Sequence, residues 1–356
     1  MAGQTLTTLD TLQSTFESVD AFGEQRLWDA LQVYFDYHNA QMQFFMNELI
    51  APTTMNEMVF GSTGAMNMTE VDQFGRNDAQ AVSFGTRCGV PLRMYDGTLQ
   101  WTRKYFLTAS VKEVTGQFLT MMGADRERVK NEAMRAFFAP TNYDFNDMLV
   151  NRRTAIPLKI RRLVNADGEP IPMSPNGQTF NGGSHTHYLA TNSLAAADIS
   201  ALIDTVAEHY TSGEVILAIN KASFAAVKGF TSNFVGYNFA YIDPSVNREQ
   251  ANTGRRRTIN SFDQAVGRWD DVEVWVKPWV PANYMVAYLS AGPEMKPLAF
   301  RTRTPTSGNL EIQVEDERYP LRARTYGREF GIACVERTAM AVLRTNNASY
   351  AAPTIA

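Results

Sequence analysis

The sequence has few of the residues from which catalytic and metal centres are usually built. Of its 356 residues, two are cysteines and four are histidines. Cys88 and Cys334 lie far apart and outside any Cys-x-x-Cys motif, which predicts free thiols in a reducing compartment. The sequence also lacks a Gly-x-x-x-x-Gly-Lys-Ser/Thr loop and a Gly-x-Ser-x-Gly elbow. Two common signatures, of nucleotide binding and of hydrolysis, are therefore missing.

Long apolar runs and excess positive charge are absent as well. No apolar stretch approaches the roughly 20 residues that span a bilayer, and the polar N-terminus does not have the pattern of a signal peptide. We therefore expect a protein that is made and used in a cytosol, without a membrane partner. The formal net charge of −4 argues against a DNA condenser of the histone type, and it leaves room only for weak contact with DNA.

What the sequence does contain is the composition of an ordinary globular protein. Hydrophobic residues make up 44% and charged residues 20%, which is enough for a sizeable core in one large domain or in two to three smaller ones. Helical and strand patterns both occur along the chain, so the sequence predicts an α+β fold.

The N-terminal part predicts an arm followed by a helix. Residues 1–23 are typical of an extended arm with a short helical turn, and residues 24–50 repeat apolar side chains at steps of three and four. Pro52 ends this helix. Apolar side chains cover so much of its circumference that we expect neighbours to bury part of them. A membrane-surface helix is the weaker alternative, because the polar face lacks Lys and Arg.

Residues 53–95 have a different texture. Glycines recur between short strand-like pieces, which predicts a long hairpin or loop. A loop of this length without a core of its own is either functional or disordered. If it is ordered, it must rest on another surface, and in an assembling protein that surface is a neighbouring subunit.

The rest of the chain predicts a long helical region and a mixed α/β region. We expect a break at Gly123 between two helices, with Asp125 as the N-cap of the second. The predicted elements are a strand at 99–106, helices at 110–122 and 125–138, a strand at 151–164, a helix at 194–210, strands at 215–219, 272–276 and 285–289, a short helix at 222–227 and a strand-rich segment at 311–344.

The histidines offer the sharpest chemical hypothesis. His185 and His187 lie on one face of a predicted strand, and His209 is the nearest other histidine. A metal site needs three or four ligands, and no cysteine or acidic cluster accompanies the pair, so the favoured interpretation is a solvated loop. We accordingly predict no catalytic, cofactor-binding or metal-binding residues. A metal-dependent hydrolase that uses His185 and His187 is the remote alternative.

Basic and glycine clusters have simple interpretations too. We interpret the arginine clusters as solvated loops, with intersubunit salt bridges as the second possibility and contact with DNA as another. The glycine clusters at 61–64 and 181–184 are explained by turn chemistry. The arginines concerned are Arg152, Arg153, Arg161, Arg162, Arg248, Arg255, Arg256, Arg257 and Arg268.

The order of these segments resembles the major capsid proteins of tailed double-stranded-DNA bacteriophages, which have the Hong Kong 97-type capsid fold. The resemblance is carried by the architecture of nearly the whole chain. It is also carried by four local runs, which are Val71-Asp72-Gln73-Phe74-Gly75-Arg76, residues 319–326 (YPLRARTY), residues 330–333 (FGIA) and residues 337–343 (RTAMAVL). In that family, comparable runs belong to an extended loop and to the closing strands.

The resemblance implies a domain plan and a function. The plan is an N-terminal arm with helix at 1–52, an extended β-hairpin loop at 53–97, a peripheral domain with a long spine helix at 98–165 and 311–346, an axial α/β domain at 166–310, and a tail at 347–356. The implied function is that of a shell subunit, not an enzyme, which forms hexamers and pentamers of itself around DNA in a virion assembled in the bacterial cytoplasm.

Further partners follow from the same resemblance. It implies a portal protein, together with scaffolding or decoration proteins, and packaged DNA held by weak non-specific contact. About fifty residues precede the loop, too few for the internal scaffold of some family members, so scaffolding is expected to be a separate protein or absent. An encapsulin-like compartment, which shares the fold but holds protein cargo, is the alternative.

Overall fold

The computed structural model describes residues 8–46, 48–62, 70, 75, 84–147, 155–237, 264–290, 296–305 and 307–355. The helices are α1 (Leu9–Ser14), α2 (Val19–Phe22), α3 (Glu24–Met46), α4 (Arg103–Thr108), α5 (Val111–Phe138), α6 (Ala196–Ala207) and α7 (Phe224–Gly229), which a 3₁₀ turn (Lys221–Ser223) precedes. The strands are β1 (Ile50–Thr53), β2 (Glu57–Ser62), β3 (Phe84–Gly89), β4 (Arg93–Thr102), β5 (Tyr143–Asp147), β6 (Ile156–Ile160), β7 (Tyr188–Thr191), β8 (Glu214–Ile219), β9 (Phe234–Gly236), β10 (Gln264–Trp269), β11 (Val272–Val276), β12 (Tyr284–Ser290), β13 (Leu298–Arg301), β14 (Glu311–Arg318), β15 (Leu321–Cys334) and β16 (Met340–Thr345).

A seven-stranded mixed sheet forms the centre of one half of the molecule. Its strand order is β7-β16-β12-β8-β11-β10-β9. Successive side chains of strand β12 alternate between the two faces of the sheet, and each face is covered by a packed layer, so the strand is buried on both faces. Met285 and Leu289 pack with α6, and Val286 and Tyr288 face the core that includes α5. The predicted strands at 215–219, 272–276 and 285–289 and the helix at 194–210 are confirmed here.

The second sheet has five strands and is organised by the long strand β15. The order is β1-β13-β15-β14, and β4 also pairs with β15. Gly331 is required within β15, because a Cβ at this position would lie 1.6 Å from the carbonyl oxygen of Pro91. The strand-rich character predicted for 311–344 is confirmed.

Helix α5 is continuous, so the predicted break at Gly123 is wrong. The 28-residue helix is about 42 Å long at 1.5 Å per residue. Its N-cap is Ser110, which forms a capping box with Glu113. A helical glycine costs only about 1 kcal/mol relative to alanine, and α5 buries Met122 and Val129 on either side of Gly123. Packing therefore outweighs the local propensity, and Asp125 lies inside the helix instead of capping one.

The arm is folded where the structure describes it. Residues 8–23 form α1 and α2, with Leu12 and Val19 fully buried. Both side chains belong to one core cluster with residues of α3 and α5. The extended conformation predicted for this segment is therefore wrong from residue 8 onwards.

Helix α3 confirms the prediction of a helix, but its apolar stripe is covered mostly by its own chain. Leu27, Leu31 and Phe35 are buried in the cluster that also contains residues of α1, α5 and β4. Among the described side chains of α3, Val33 and Tyr37 are the large apolar ones that stay exposed. The chain itself therefore buries most of the apolar stripe at 24–40, and the expected burial by neighbours is limited there to these exposed side chains.

Two further boundaries differ from the predictions. The strand predicted at 99–106 ends at Thr102, whose side chain caps α4. The strand predicted at 151–164 is β6, from 156 to 160, and pairs with β5.

Both cysteines are buried free thiols, and the prediction of free thiols is confirmed. Burial raises the pKa of the Cys88 thiol to about 12.

Candidate assembly surface

Strands β14 and β15 form a hairpin, the β14–β15 ribbon, which β4 extends to three strands on the β15 side. The outer edge of β14 is unpaired within the part of the chain that the structure describes. Strand β14 pairs with β15 from Glu311 to Arg318 and lies at the end of the sheet order. At about 3.4 Å per residue, the eight residues of β14 extend over about 27 Å. An edge of this length presents unpaired backbone donors and acceptors, which is how one chain adds to the sheet of another.

The β14–β15 ribbon also exposes large apolar side chains. Val314 is 55% exposed and Tyr319, at the turn between the two strands, is 84% exposed. Ile312 and Leu321 are also exposed. Exposed apolar side chains along one edge of a subunit are candidates for burial against another protein. The ribbon therefore has both the edge and the apolar side chains that a subunit contact requires.

Contacts of Arg322 and Arg324 attach the ribbon to helix α3. Arg322 forms an ion pair with Glu24, the first residue of α3. The Arg324 guanidinium carbon lies 3.8 Å from the ring centroid of Trp28, and Arg324 Nε lies 3.0 Å from Glu315. A guanidinium on an aromatic face contributes about 0.5–2 kcal/mol. These contacts fix the direction of the ribbon relative to the helices.

A buried cluster, the Arg328 cluster, joins the ribbon strand to both long helices. It consists of Arg328 on β15, Asp125 on α5, and His38 and Asn39 on α3. Arg328 Nε and Nη2 each donate to one Asp125 oxygen at 2.8 Å, and His38 Nε2 lies 2.8 Å from Asp125 Oδ2. Arg328 Nη2 also donates to Asn39 at 3.1 Å. A two-point arginine–carboxylate contact fixes orientation as well as distance.

The electrostatics of this cluster favour the charged carboxylate. Burial by itself raises the pKa of Asp125, but the hydrogen bonds from His38 and Arg328 and the Arg328 charge outweigh it, so the pKa is lowered from 3.8. The ion pair therefore stabilises the folded state above about pH 3.8, the pKa of an unperturbed aspartate, and this contribution is lost as the pH falls through the lowered pKa of Asp125.

The base of the hairpin formed by β2 and β3 is held by a second buried pair. Arg301 Nη1 lies 2.6 Å from Asp147 Oδ2 and donates to the Val90 carbonyl at 2.6 Å. Phe60 and Cys88 are buried at the hairpin base. The prediction of a hairpin is confirmed at this base, where Glu57 pairs with Gly89 and Ser62 with Phe84. Residues 63–69, 71–74 and 76–83, which form the distal part of the predicted extended loop, lie outside the described residues.

His185 and His187 do not lie in the solvated loop that the sequence predicted. His185 and His187 precede β7, and His209 follows the end of α6. The chain brings their Nε2 atoms together, with 3.2 Å from His209 to each of the others. His187 is fully buried. The sequence could not reveal this convergence, because it depends on α6 packing against the sheet.

The arginine clusters have a mixed outcome. Arg161 pairs with Glu169, and Arg162 is buried with its guanidinium carbon 5.1 Å from the ring centroid of Tyr143, so solvated loops are wrong for both. Arg268 is exposed and donates to the carbonyl of Asp271 at 2.8 Å. The other arginines of these clusters, at 152, 153, 248 and 255–257, lie outside the described residues.

The sequence reasoning missed Arg337, which is fully buried. Its Nη2 lies 2.6 Å from Asp167 Oδ2, and its Nε donates to the carbonyl of Arg162 at 2.8 Å. Burial by itself raises the pKa of Asp167, but the Arg337 charge and the hydrogen bond from Asn142 outweigh burial, so the pKa is lowered.

Among the described residues, no helix combines the length and the apolar character that a membrane span requires.

Solved structures share this architecture over nearly the whole chain. A structure from Mycobacterium phage Patience superposes with a TM-score of 0.68 at 21% identity, covering 99% of this chain and 96% of the other. The capsid structure of cyanophage P-SCSP1u superposes with a TM-score of 0.50 at 8% identity, covering 85% and 87%. No family model matches the sequence, and no curated protein matches it.

These superpositions define the fold. Both solved structures are phage capsid structures, so the chain has the phage capsid fold, as the α+β prediction and the resemblance implied. The encapsulin of Synechococcus elongatus superposes with a TM-score of 0.42 at 12% identity, covering 88% of this chain and 90% of that one, which is too weak a likeness to support any conclusion.

Proposed function

We propose that the chain is the major capsid protein of a tailed double-stranded-DNA bacteriophage, a non-enzymatic subunit whose copies close into an icosahedral head shell. The observation that carries the proposal is the likeness to a phage capsid structure over 99% of the chain at a TM-score of 0.68. Likeness that includes both sheets and the long helix is more than a shared local motif. Since fold alone does not define function, the surfaces of this chain must also suit assembly.

Those surfaces support the proposal. The β14–β15 ribbon offers an unpaired edge and exposed apolar side chains, while the Arg328 cluster and the contact of Arg322 with α3 hold the ribbon in place. A ribbon held in place in this way can present its β14 edge to a neighbour without rearrangement of the subunit core. A typical specific interface buries about 1,600 Å², and a closed shell adds many such contacts, so each can be modest.

The domain plan that the resemblance implied also enters this proposal. We propose a peripheral domain at 98–165 and 311–346, an axial domain at 166–310, an extended loop at 53–97, an arm with helix at 1–52 and a tail at 347–356. The peripheral range contains α5 and most of the five-stranded sheet, and the axial range contains most of the seven-stranded sheet. Strand β16 of the seven-stranded sheet lies within the peripheral range, and β13 of the five-stranded sheet lies within the axial range. Strand β4 begins at Arg93, so the last residues of the proposed loop already belong to the five-stranded sheet.

The proposed partners are other copies of the chain, in hexamers and pentamers. A portal protein and scaffolding or decoration proteins are proposed as further partners. Packaged DNA would be held by weak non-specific contact, in keeping with the net charge of −4. The proposed location is the virion, with assembly in the bacterial cytoplasm.

Electron microscopy of the purified protein tests the proposal directly. We expect uniform hollow icosahedral particles in negative stain after expression of the chain, with its proposed scaffolding partner if one is required. Particles from phage-infected cells should contain double-stranded DNA, measured by nuclease-protected nucleic acid. Particles that contain a protein cargo instead would identify an encapsulin-like compartment, and a monomer under every assembly condition would contradict the shell function.

A single substitution tests the ribbon. Val314→Lys is expected to leave the subunit folded, because Val314 is 55% exposed, and surface changes of this kind cost within about 0.5 kcal/mol. Particle yield should fall at least tenfold by sedimentation, since a buried unpaired charge in an interface costs several kcal/mol, roughly tenfold per 1.4 kcal/mol. Val314→Thr, which keeps the shape and adds no charge, should retain most assembly. Normal yield with lysine would remove the ribbon from the interface.

A further inference from the structure

Three imidazoles meet at one point beside the seven-stranded sheet. His209 Nε2 lies 3.2 Å from His185 Nε2 and 3.2 Å from His187 Nε2. One ligand atom from each of the three histidines lies within 4.8 Å of the others. The three residues come from two segments, the loop before β7 and the end of α6.

The separations are those of ligands around a tetrahedral metal ion. Zinc binds histidine nitrogen at about 2.0–2.1 Å, which places two nitrogens of a tetrahedral site about 3.3 Å apart. The two distances of 3.2 Å from His209 agree with that value. The three ligand atoms lie within 4.8 Å of one another, so binding also requires His185 and His187 to approach each other.

Hydrogen bonding among the imidazoles cannot satisfy both contacts. His187 Nδ1 lies 2.8 Å from the Met340 carbonyl, which only accepts, so the proton of neutral His187 is on Nδ1 and its Nε2 carries a lone pair. If His209 Nε2 is protonated, it donates to one neighbour and cannot accept from the other. If it is not protonated, two lone pairs face each other across 3.2 Å. A bound cation removes this conflict, because every Nε2 then donates its lone pair.

The surroundings of the imidazoles favour metal binding. The hydrogen bond from His187 to Met340 is the outer contact that orients a metal-binding histidine. The Phe180 ring lies 4.3 Å from the His209 ring, between centroids, and covers one side of the cluster.

A fourth ligand is within reach. Glu208 Oε1 lies 3.4 Å from His185 Nε2 and 3.7 Å from His209 Nε2. Its carboxylate supplies negative charge and completes a set of three imidazoles and one oxygen. The site also lies at the C-terminal end of α6, where the helix dipole favours a cation.

We propose that His185, His187, His209 and Glu208 form a structural zinc site. Four protein ligands leave no open coordination position for a substrate, which distinguishes this site from that of a hydrolase. The ion joins the loop before β7 to the end of α6, and through the hydrogen bond of His187 to strand β16. This assignment replaces the expectation, from the sequence alone, that the chain holds no metal.

The zinc content of the purified full-length protein tests the proposal. After incubation with zinc sulfate and dialysis against metal-free buffer, we expect about one zinc per chain by mass spectrometry, from the single four-ligand set. Glu208→Gln and His185→Gln change partly exposed residues, so both variants should fold. His185→Gln is expected to lower zinc affinity by more than about 100-fold, the upper end of what loss of an outer-shell partner costs. Asp204→Asn, one turn earlier on α6, is the matched control and should keep the zinc.

Two further measurements separate metal binding from structural damage. Cobalt added to the metal-free protein should give the visible absorption bands of tetrahedral cobalt, and His185→Gln should abolish them. Zinc should raise the Tm of the wild-type protein and of Asp204→Asn, but not that of His185→Gln, because a ligand that binds the folded state stabilises it. A wild-type protein that takes up no zinc would overturn the proposal. A full zinc content in a folded His185→Gln, His209→Gln double variant would do the same.

Discussion

Replacement of residues 63–83 by an Asn-Gly turn is expected to give a folded subunit that forms no shells. Ser62 and Phe84 are cross-strand partners in the hairpin of β2 and β3, and Asn-Gly is a favoured two-residue hairpin turn. The replacement therefore closes the hairpin without disturbing the pairs below it. If the removed segment makes contacts with neighbouring subunits, as we propose, its loss removes them from every copy in the shell.

The structure makes this deletion sharper than one chosen from sequence alone. A deletion from 61 to 95 would remove β3, the buried Cys88, and Tyr95, whose ring lies 5.1 Å from that of Phe330 between centroids. Loss of folding and loss of assembly would then be confused.

Urea unfolding and negative-stain microscopy together separate the two effects for the shorter deletion. The control replaces 63–83 with a glycine–serine linker of equal length, which should also fold and fail to assemble. Shells of normal size from either variant would contradict the proposed role of the loop.

Asp125→Ala is expected to have the largest effect on stability of any single substitution considered. Arg328 is 2% exposed and Asp125 is its partner at two contacts of 2.8 Å. Removal of one partner of a buried ion pair leaves an uncompensated charge and costs about 3–5 kcal/mol. The free energy of unfolding of the unassembled subunit, from urea titration, should fall by that amount at pH 7.

Glu127→Ala on the same helix is the matched control. Glu127 pairs with Lys130 at 3.0 Å, but its side chain is 56% exposed, and exposed pairs contribute about 0–1 kcal/mol. Arg328→Met in the Asp125→Ala background should recover part of the loss, because it removes the unpaired charge. Equal costs for Asp125→Ala and Glu127→Ala would show that the Arg328 cluster does not hold the ribbon strand to the helices.

The sequence predicted those elements whose signal is local and repeated. Helix α3, helix α6 and strand β12 follow from the spacing of their apolar residues, and all three are present. The capsid resemblance likewise rested on the order of elements, and the fold confirms it. Such patterns depend on which side of an element is buried, which neighbouring residues record directly.

The errors occurred where distant contacts override local preference. Gly123 and Asp125 locally favour a break and a cap, but the core under α5 and the partner of Asp125, 203 residues away on β15, keep the helix continuous. His185 and His209 are separated by 24 residues, and the fold of α6 onto the sheet brings them together. Periodicity is detected in windows of about 11–18 residues, which are too short to contain both partners of either contact, so their meeting could not be predicted from pattern.

Strand β15 has a mechanical consequence. Its first part belongs to the exposed ribbon and its last residues lie in the buried sheet, so a force applied at the turn beside Tyr319 is carried along one continuous strand into the core. Ten residue pairs join β15 to β4. A pull along the strand axis strains those pairs in shear, all at once, whereas a pull at right angles opens them one at a time from the tip. The subunit should therefore be stiff against tension in the direction of the ribbon and compliant against peeling.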